Sequence, residues 1–247
     1  MYNEAFNTRI HKRPKRDKLT CEQEENIDVL AFGNMYPYRT RMLSILKKRG
    51  VHLALYGKKG AYFSSELDDC FQGKYIVGEE KARILYGAKI VFNNLHYAEI
   101  ESVNNKFFEI NGSGAFQLCD YRPILKDLLP IDPELVFRTI DDAVEKINYY
   151  LDHSQDRYDL SNLIYNHFVE HYSYDSLVEY FGGPETAGFG FGLGLERLLL
   201  VIDKQGIELP VEESLDVYIA VLGSGANGKA LELVQAIRYQ GFKAERD

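Results

Sequence analysis

The stretch Ile27-Asp28-Val29-Leu30-Ala31-Phe32-Gly33 is apolar at nearly every position and ends on a glycine, with an amphipathic run over 39–48 behind it. That couple recurs. Residues 52–56, 88–93, 115–119 and 134–138 read as further strands, with helices predicted over 79–86, 105–111, 121–129 and 141–152. Strands without polar alternation are buried on both faces, and a helix after each is what a parallel sheet requires. The pattern predicts an α/β fold, a Rossmann-like parallel sheet with helices on both faces, over 27–174. Asp141 and Asp142 stand where a helix amino terminus favours acidic side chains. Gly33, Gly57, Asn93 and Asn94 fall just past strands, at the carboxyl rim where open α/β sheets take their ligands.

Composition bounds the function classes. The chain has 247 residues, 45% hydrophobic and 27% charged, enough for one large domain or two small ones. No apolar run approaches the roughly 20 residues of a membrane-crossing helix. The first residues carry Arg9, Lys12, Arg13, Lys15, Arg16 and Lys18 without the apolar stretch of a signal peptide. Residues 1–26 therefore read as a basic arm or linker, a tail separated from a partner domain. A net charge of −8 argues against a nucleic-acid coat. Three cysteines are too few for a disulfide framework and fit a reducing compartment, so a cytoplasmic location is expected.

Glu101 and Glu109 are two carboxylates separated by seven residues, followed by Ile110-Asn111-Gly112-Ser113-Gly114-Ala115. A carboxylate beside a rim crevice can accept both vicinal hydroxyls of a ribose. Glycines 112 and 114 would let backbone amides close on a sugar or phosphate. The plainer reading is a pair of solvated helix-face acids. His96, beside Asn94, could polarise a hydroxyl or phosphate, or be merely solvated.

The runs Phe32-Gly33-Asn34-Met35-Tyr36-Pro37-Tyr38-Arg39, Ala88-Lys89-Ile90-Val91-Phe92-Asn93, Asn105-Lys106-Phe107-Phe108-Glu109-Ile110, Gly114-Ala115-Phe116-Gln117-Leu118 and His171-Tyr172-Ser173-Tyr174-Asp175 resemble the CgeB-like, spore-maturation glycosyltransferases. The likeness covers about 5–175 and implies the carboxyl-terminal, donor-binding half of a GT-B enzyme. It implies that Glu109 holds the donor ribose, with Gly112, Gly114 and Ala115 near it, and that Glu101 faces the donor sugar as the catalytic candidate. Asn34 and Arg39 would lie near the diphosphate, with Asn94 and His96 completing the site. Lys106 stands where the family more often has Arg. The acceptor-binding half that such an enzyme needs as its partner is not in the sequence, so transfer is expected to be incomplete.

The style changes after about 174. Gly188-Phe189-Gly190-Phe191-Gly192-Leu193-Gly194-Leu195-Glu196-Arg197 alternates glycine with large apolar residues, which puts a bare face on a strand; it could receive a flat ligand or pack tightly on a helix. A helix over 195–204, a linker around 210–214, a strand over 216–222 and a helix over 229–240 follow. With Tyr174-Asp175-Ser176-Leu177-Val178-Glu179-Tyr180-Phe181-Gly182-Gly183-Pro184, this stretch resembles histidyl-tRNA synthetase, from class II motif 3 (175–209) into a partial anticodon-binding domain (215–247). The resemblance implies ATP contacts at Gly192, Gly194 and Arg197, but motifs 1 and 2 and the histidine-binding segment are missing. ATP would be a ligand only of a complete site, because adenylation needs several groups held together. tRNA is not an expected partner. Both resemblances meet at Tyr174-Asp175, which predicts a fusion.

Two motifs are set aside. Gly223-Ser224-Gly225-Ala226-Asn227-Gly228 fits G-x-G-x-x-G, yet only one βα unit is there to use it. His167-Phe168-Val169-Glu170-His171 fits the inverted zinc-protease pattern but offers no third ligand, so no metal is expected. The sequence requires no cofactor; its expected ligand is a nucleotide-sugar donor. The alternatives are a synthetase-related ATP- or tRNA-binding fragment and a fusion product without function.

Overall fold

Five strands, β1 (Ile27–Met35), β2 (Leu53–Lys59), β3 (Ala88–Asn93), β4 (Gln117–Asp120) and β5 (Val136–Phe137), form one sheet in the order β2-β1-β3-β4-β5. Every pairing is parallel, from Val29 opposite Leu53 to Cys119 opposite Val136. The computed structural model describes residues 5–132, 136–180, 205–206, 215–221 and 224–246. The chain divides into two compact units, Met1–Gly190 and Phe191–Asp247.

Period-two alternation splits the apolar strand residues between two cores. Val29, Ala31, Ile90 and Phe92 enter one cluster, and Leu30, Phe32 and Val91 the other. Val29, Leu30, Ile90 and Val91 are all fully buried, each burial contributing roughly 1.5–3 kcal/mol.

The helices start where the sequence supplies caps. α1 (Lys18–Glu25) is capped by Asp17, which accepts from the Thr20 amide at 2.9 Å. α2 (Pro37–Lys48) opens on proline and closes on Lys47 and Lys48, as the helix dipole favours. α3 (Gly78–Gly87) carries Glu79 and Glu80 in its first turn. The side chain of Asn104 caps α4 (Asn105–Gly112), accepting from the Phe107 amide at 3.1 Å. Next is the single turn α5 (Leu125–Leu128), in place of the helix expected over 121–129; Pro123, which lacks an amide hydrogen, sits within that span. α6 (Ile140–Asp152) has a reciprocal cap: Thr139 accepts from the Asp142 amide, and the Asp142 carboxylate accepts from the Arg138 amide. α7 (Ser154–His171) and α8 (Tyr174–Tyr180) follow.

The amino-terminal arm differs from its expectation as a loose tail. Phe6 is buried and forms a parallel bridge with Ser173; its amide donates to the Tyr172 carbonyl and its carbonyl accepts from the Tyr174 amide. Lys18 is buried, donating to the carbonyls of Tyr86 and Ala88, and burial pulls its amine down to about 8. Glu22 accepts from Arg157 and from the Tyr158 hydroxyl, each at 2.9 Å. Polar side chains that bury by pairing leave no hydrophobic period, which is why α1 went unpredicted.

In the second unit β6 (Val217–Ile219) pairs in parallel with β7 (Ala244–Arg246), and α9 (Asn227–Tyr239) joins them. The strand expected over 216–222 and the helix over 229–240 are thus present with shifted ends. The predicted helix over 195–204, the linker at 210–214, Gly223 of the G-x-G-x-x-G run, and Gly192, Gly194 and Arg197 lie outside the described residues. Among the described residues no helix is long and apolar enough to cross a membrane.

Candidate functional site

The chain runs from β1 to β2 on one side and then crosses to β3 on the other, so a crevice opens above the carboxyl ends of β1 and β3. Ligands of open α/β sheets bind at such a reversal. A cavity of about 400 Å³ lies there, within the size range of small-molecule sites.

The tip of β1 forms its floor. Gly33 has φ +106, and a Cβ on it would stand 3.2 Å from Arg39 Nη1 and 3.4 Å from Lys106 Nζ, so glycine leaves the backbone open between two cations. Its register partner Gly57 has φ +129, and a side chain there would run into the Gly33 carbonyl. Arg39, in the first turn of α2, donates from Nε to the Asn94 side chain at 2.9 Å and from Nη2 to the Asn94 carbonyl at 3.1 Å. Its Nη1 donates to the Phe32 carbonyl at 3.0 Å. Lys106, in the first turn of α4, donates to that same carbonyl at 3.2 Å. Burial, and then the neighbouring Arg39 charge, push the Lys106 amine well below the ordinary lysine range. Two basic side chains thus line this end of the cavity beside the amino terminus of α4, where backbone amides also favour an anion.

Glu109 also lines the cavity, on α4 one turn beyond Lys106. Lys81 of α3 donates to its Oε2 at 2.9 Å, and His11 Nε2 stands 3.3 Å from its Oε1. Burial alone would raise the Glu109 carboxyl; His11 and Lys81 outweigh it and hold it below its ordinary value. Tyr75, Ile76 and Val77, the residues leading into α3, line it as well. So do Glu99 and His96, where the His96 amide donates to the Glu99 carboxylate at 2.6 Å and the His96 ring lies 5.1 Å from that of Tyr36.

Of the residues singled out from sequence, Asn34, Arg39, His96 and Glu109 line this cavity. Asn94 is fully buried behind it and holds Arg39. Glu101 is exposed and does not line the cavity; Glu99, two residues earlier, takes that place because its carboxylate ties back to the His96 amide. Gly112, Gly114 and Ala115 are a correction too. Gly112 ends α4, and Gly114 and Ala115 follow it before β4, so a parallel sheet sets them at its amino edge, away from the crevice. A Cβ on Gly112 would strike the Phe6 ring, one on Gly114 would come 2.9 Å from Arg13 Cδ, and Ala115 is buried in the core. Their glycine character serves packing of the arm. His11, Lys81, Glu99 and Tyr75 were not found by sequence reasoning; no local motif links them, since they converge from four segments. His167 and His171 meet edge to face on the last turn of α7 with ring centroids 4.6 Å apart, and among the described residues no group of three metal-binding side chains converges.

A doubly wound parallel sheet with a cationic crevice at its reversal point defines a nucleotide-binding class of α/β domain. Residues 39–182 match the family described as glycosyl transferase-like, more than half of the chain, and the chain belongs to that family. Over 74 residues, 30% of its length, it is 96% identical to a histidine–tRNA ligase of Streptococcus thermophilus and 80% identical to that of a Streptococcus pneumoniae strain. The chain spans 17% of the length of those ligases. A glycosyl transferase-like domain fused to a ligase-like segment accounts for both matches. Among solved structures, Staphylococcus aureus TarM is 16% identical with a TM-score of 0.48, over 71% of this chain and 37% of that one. An α1,3-fucosyltransferase solved with GDP-fucose is 13% identical with a TM-score of 0.41, over 81% of this chain and 52% of that one.

Proposed function

We propose that the first unit binds a nucleotide-sugar donor in the rim crevice, as the donor-binding half of a GT-B glycosyltransferase. The observation that carries this is one rim cavity lined both by a carboxylate, Glu109, and by two basic side chains, Arg39 and Lys106. The ribose diol would lie on Glu109 and the diphosphate against Arg39, Lys106 and the first amides of α4. The nucleobase would then fall beside Tyr75–Val77. Arg39 and Lys106 are also where charge develops on the leaving diphosphate, so they would stabilise the transition state. Transfer needs a facing acceptor domain. Glu101, exposed on the loop after β3, would act only by reaching a sugar held at the cavity mouth.

Isothermal titration of the full chain with UDP- and GDP-sugars tests the reading. Binding of one class that falls at least tenfold in Glu109→Gln is expected. Absence of heat with every donor, or binding indifferent to Glu109→Gln and Lys106→Met, overturns it.

A further inference from the structure

Glu109 is gripped before any ligand arrives, and the grip comes from two separate parts of the chain. Lys81 approaches Oε2 from α3, and His11 approaches Oε1 from the amino-terminal arm. A carboxylate has about four acceptor sites. One partner on each oxygen fixes the plane of the group and leaves one site free on each, the arrangement two neighbouring hydroxyls require.

The arm is built to deliver that ring. His11 is 8% exposed, and its Nδ1 is buried without a partner, so the contact with Glu109 is the side chain's polar engagement. The segment around it is anchored at both ends. Phe6 packs on Gly112 and bridges to Ser173, while the Arg13 guanidinium lies over the rings of Tyr86 and Tyr165. Between the anchors the His11 amide donates to the Asn7 carbonyl at 2.9 Å, closing the turn that aims the ring. Lys81 reaches Glu109 from α3, and Lys106 lies one turn back on Glu109's own helix.

We propose that His11 is a positioning residue for donor binding: with Lys81 it clamps the Glu109 carboxylate so that one free acceptor site on each oxygen meets a vicinal diol. This rests on the reading of Glu109 as the diol acceptor. The arm thereby becomes part of the donor site rather than a linker to it.

The test is a thermodynamic cycle on the full chain, comparing UDP and GDP with their 2′,3′-dideoxy analogues, in wild type, Glu109→Gln, His11→Leu and His11→Gln. Wild type is expected to prefer the diol-bearing nucleotide and Glu109→Gln to lose that preference. His11→Leu should weaken the diol-bearing nucleotide about tenfold, the worth of a hydrogen bond to a charged group, while leaving the dideoxy analogue unchanged. His11→Gln, which keeps a donor, should recover most of the loss. A His11→Leu variant that weakens both nucleotides equally, or neither, overturns the proposal while the preference removed by Glu109→Gln leaves the donor reading standing. A wild type with no diol preference removes both. Should His11→Leu fail to fold, the ring nitrogens of His11 are read by NMR in wild type and Glu109→Gln; unchanged resonances overturn the clamp and displaced ones support it.

Discussion

Arg39 and Asn94 are joined twice, side chain to side chain at 2.9 Å and guanidinium to backbone carbonyl at 3.1 Å. The bond ties the helix after β1 to the loop after β3, the two segments that flank the sheet's reversal point. A buried guanidinium would otherwise swing; here its face is fixed toward the crevice. Replacing Asn94 with Leu leaves Arg39 Nε buried without its acceptor, at a cost of roughly 1–3 kcal/mol. Chemical denaturation should show that loss, and UDP or GDP affinity should fall with it. Unchanged stability would show that Asn94 does not hold Arg39.

Lys106 supplies a pH dependence. Burial and the Arg39 charge keep its amine well below the ordinary lysine range. A diphosphate prefers the charged amine, and that proton is lost as pH rises through the lowered value. Nucleotide affinity is therefore expected to fall with rising pH before an ordinary lysine, at about 10.4, would titrate. Lys106→Arg stays charged and should flatten the profile. Affinity measured at rising pH decides it; matching profiles for wild type and Lys106→Arg contradict the prediction.

The pair of Glu22 and Arg157 holds α1 to α7 with both side chains almost wholly buried. Removing one partner strands a buried charge, which typically costs about 3–5 kcal/mol. Arg157→Met should lower the melting temperature markedly, and Glu22→Gln should do so less, because an amide still accepts a hydrogen bond. A melting temperature indifferent to Arg157→Met would mean that α1 is not docked.

Gly112→Ala tests the arm from its other end. The added methyl meets the Phe6 ring, so overpacking should cost roughly 1–3 kcal/mol. The double variant Gly112→Ala with Phe6→Leu should recover part of that loss in denaturant melts. No recovery would place the strain elsewhere.

Much of the fold was legible because the sheet is buried on both faces. Continuous apolar runs marked β1 and β3 to within a few residues, and β3 coincided with its expected range. β2 runs on to Lys59 because the register carries it opposite Met35, and charged residues at a rim give no hydrophobic signal. α1 was missed since Lys18, Glu22 and Asp17 act through pairing and capping. At the site, Glu109 and Arg39 stood out as residue types in the right place along the chain. Glu99 could not be told from Glu101 without the turn that ties its carboxylate to the His96 amide. Gly112 and Gly114 were expected beside a sugar or phosphate, but their neighbours are Phe6 and Arg13, from more than a hundred residues back. His11 was invisible for the same reason.

The most direct measurement is an experimental structure of the chain with UDP or GDP bound. The ribose hydroxyls are predicted within hydrogen-bond distance of Glu109, with the diphosphate against Arg39 and Lys106. A nucleotide seated elsewhere, or one whose ribose turns away from Glu109, would contradict the account.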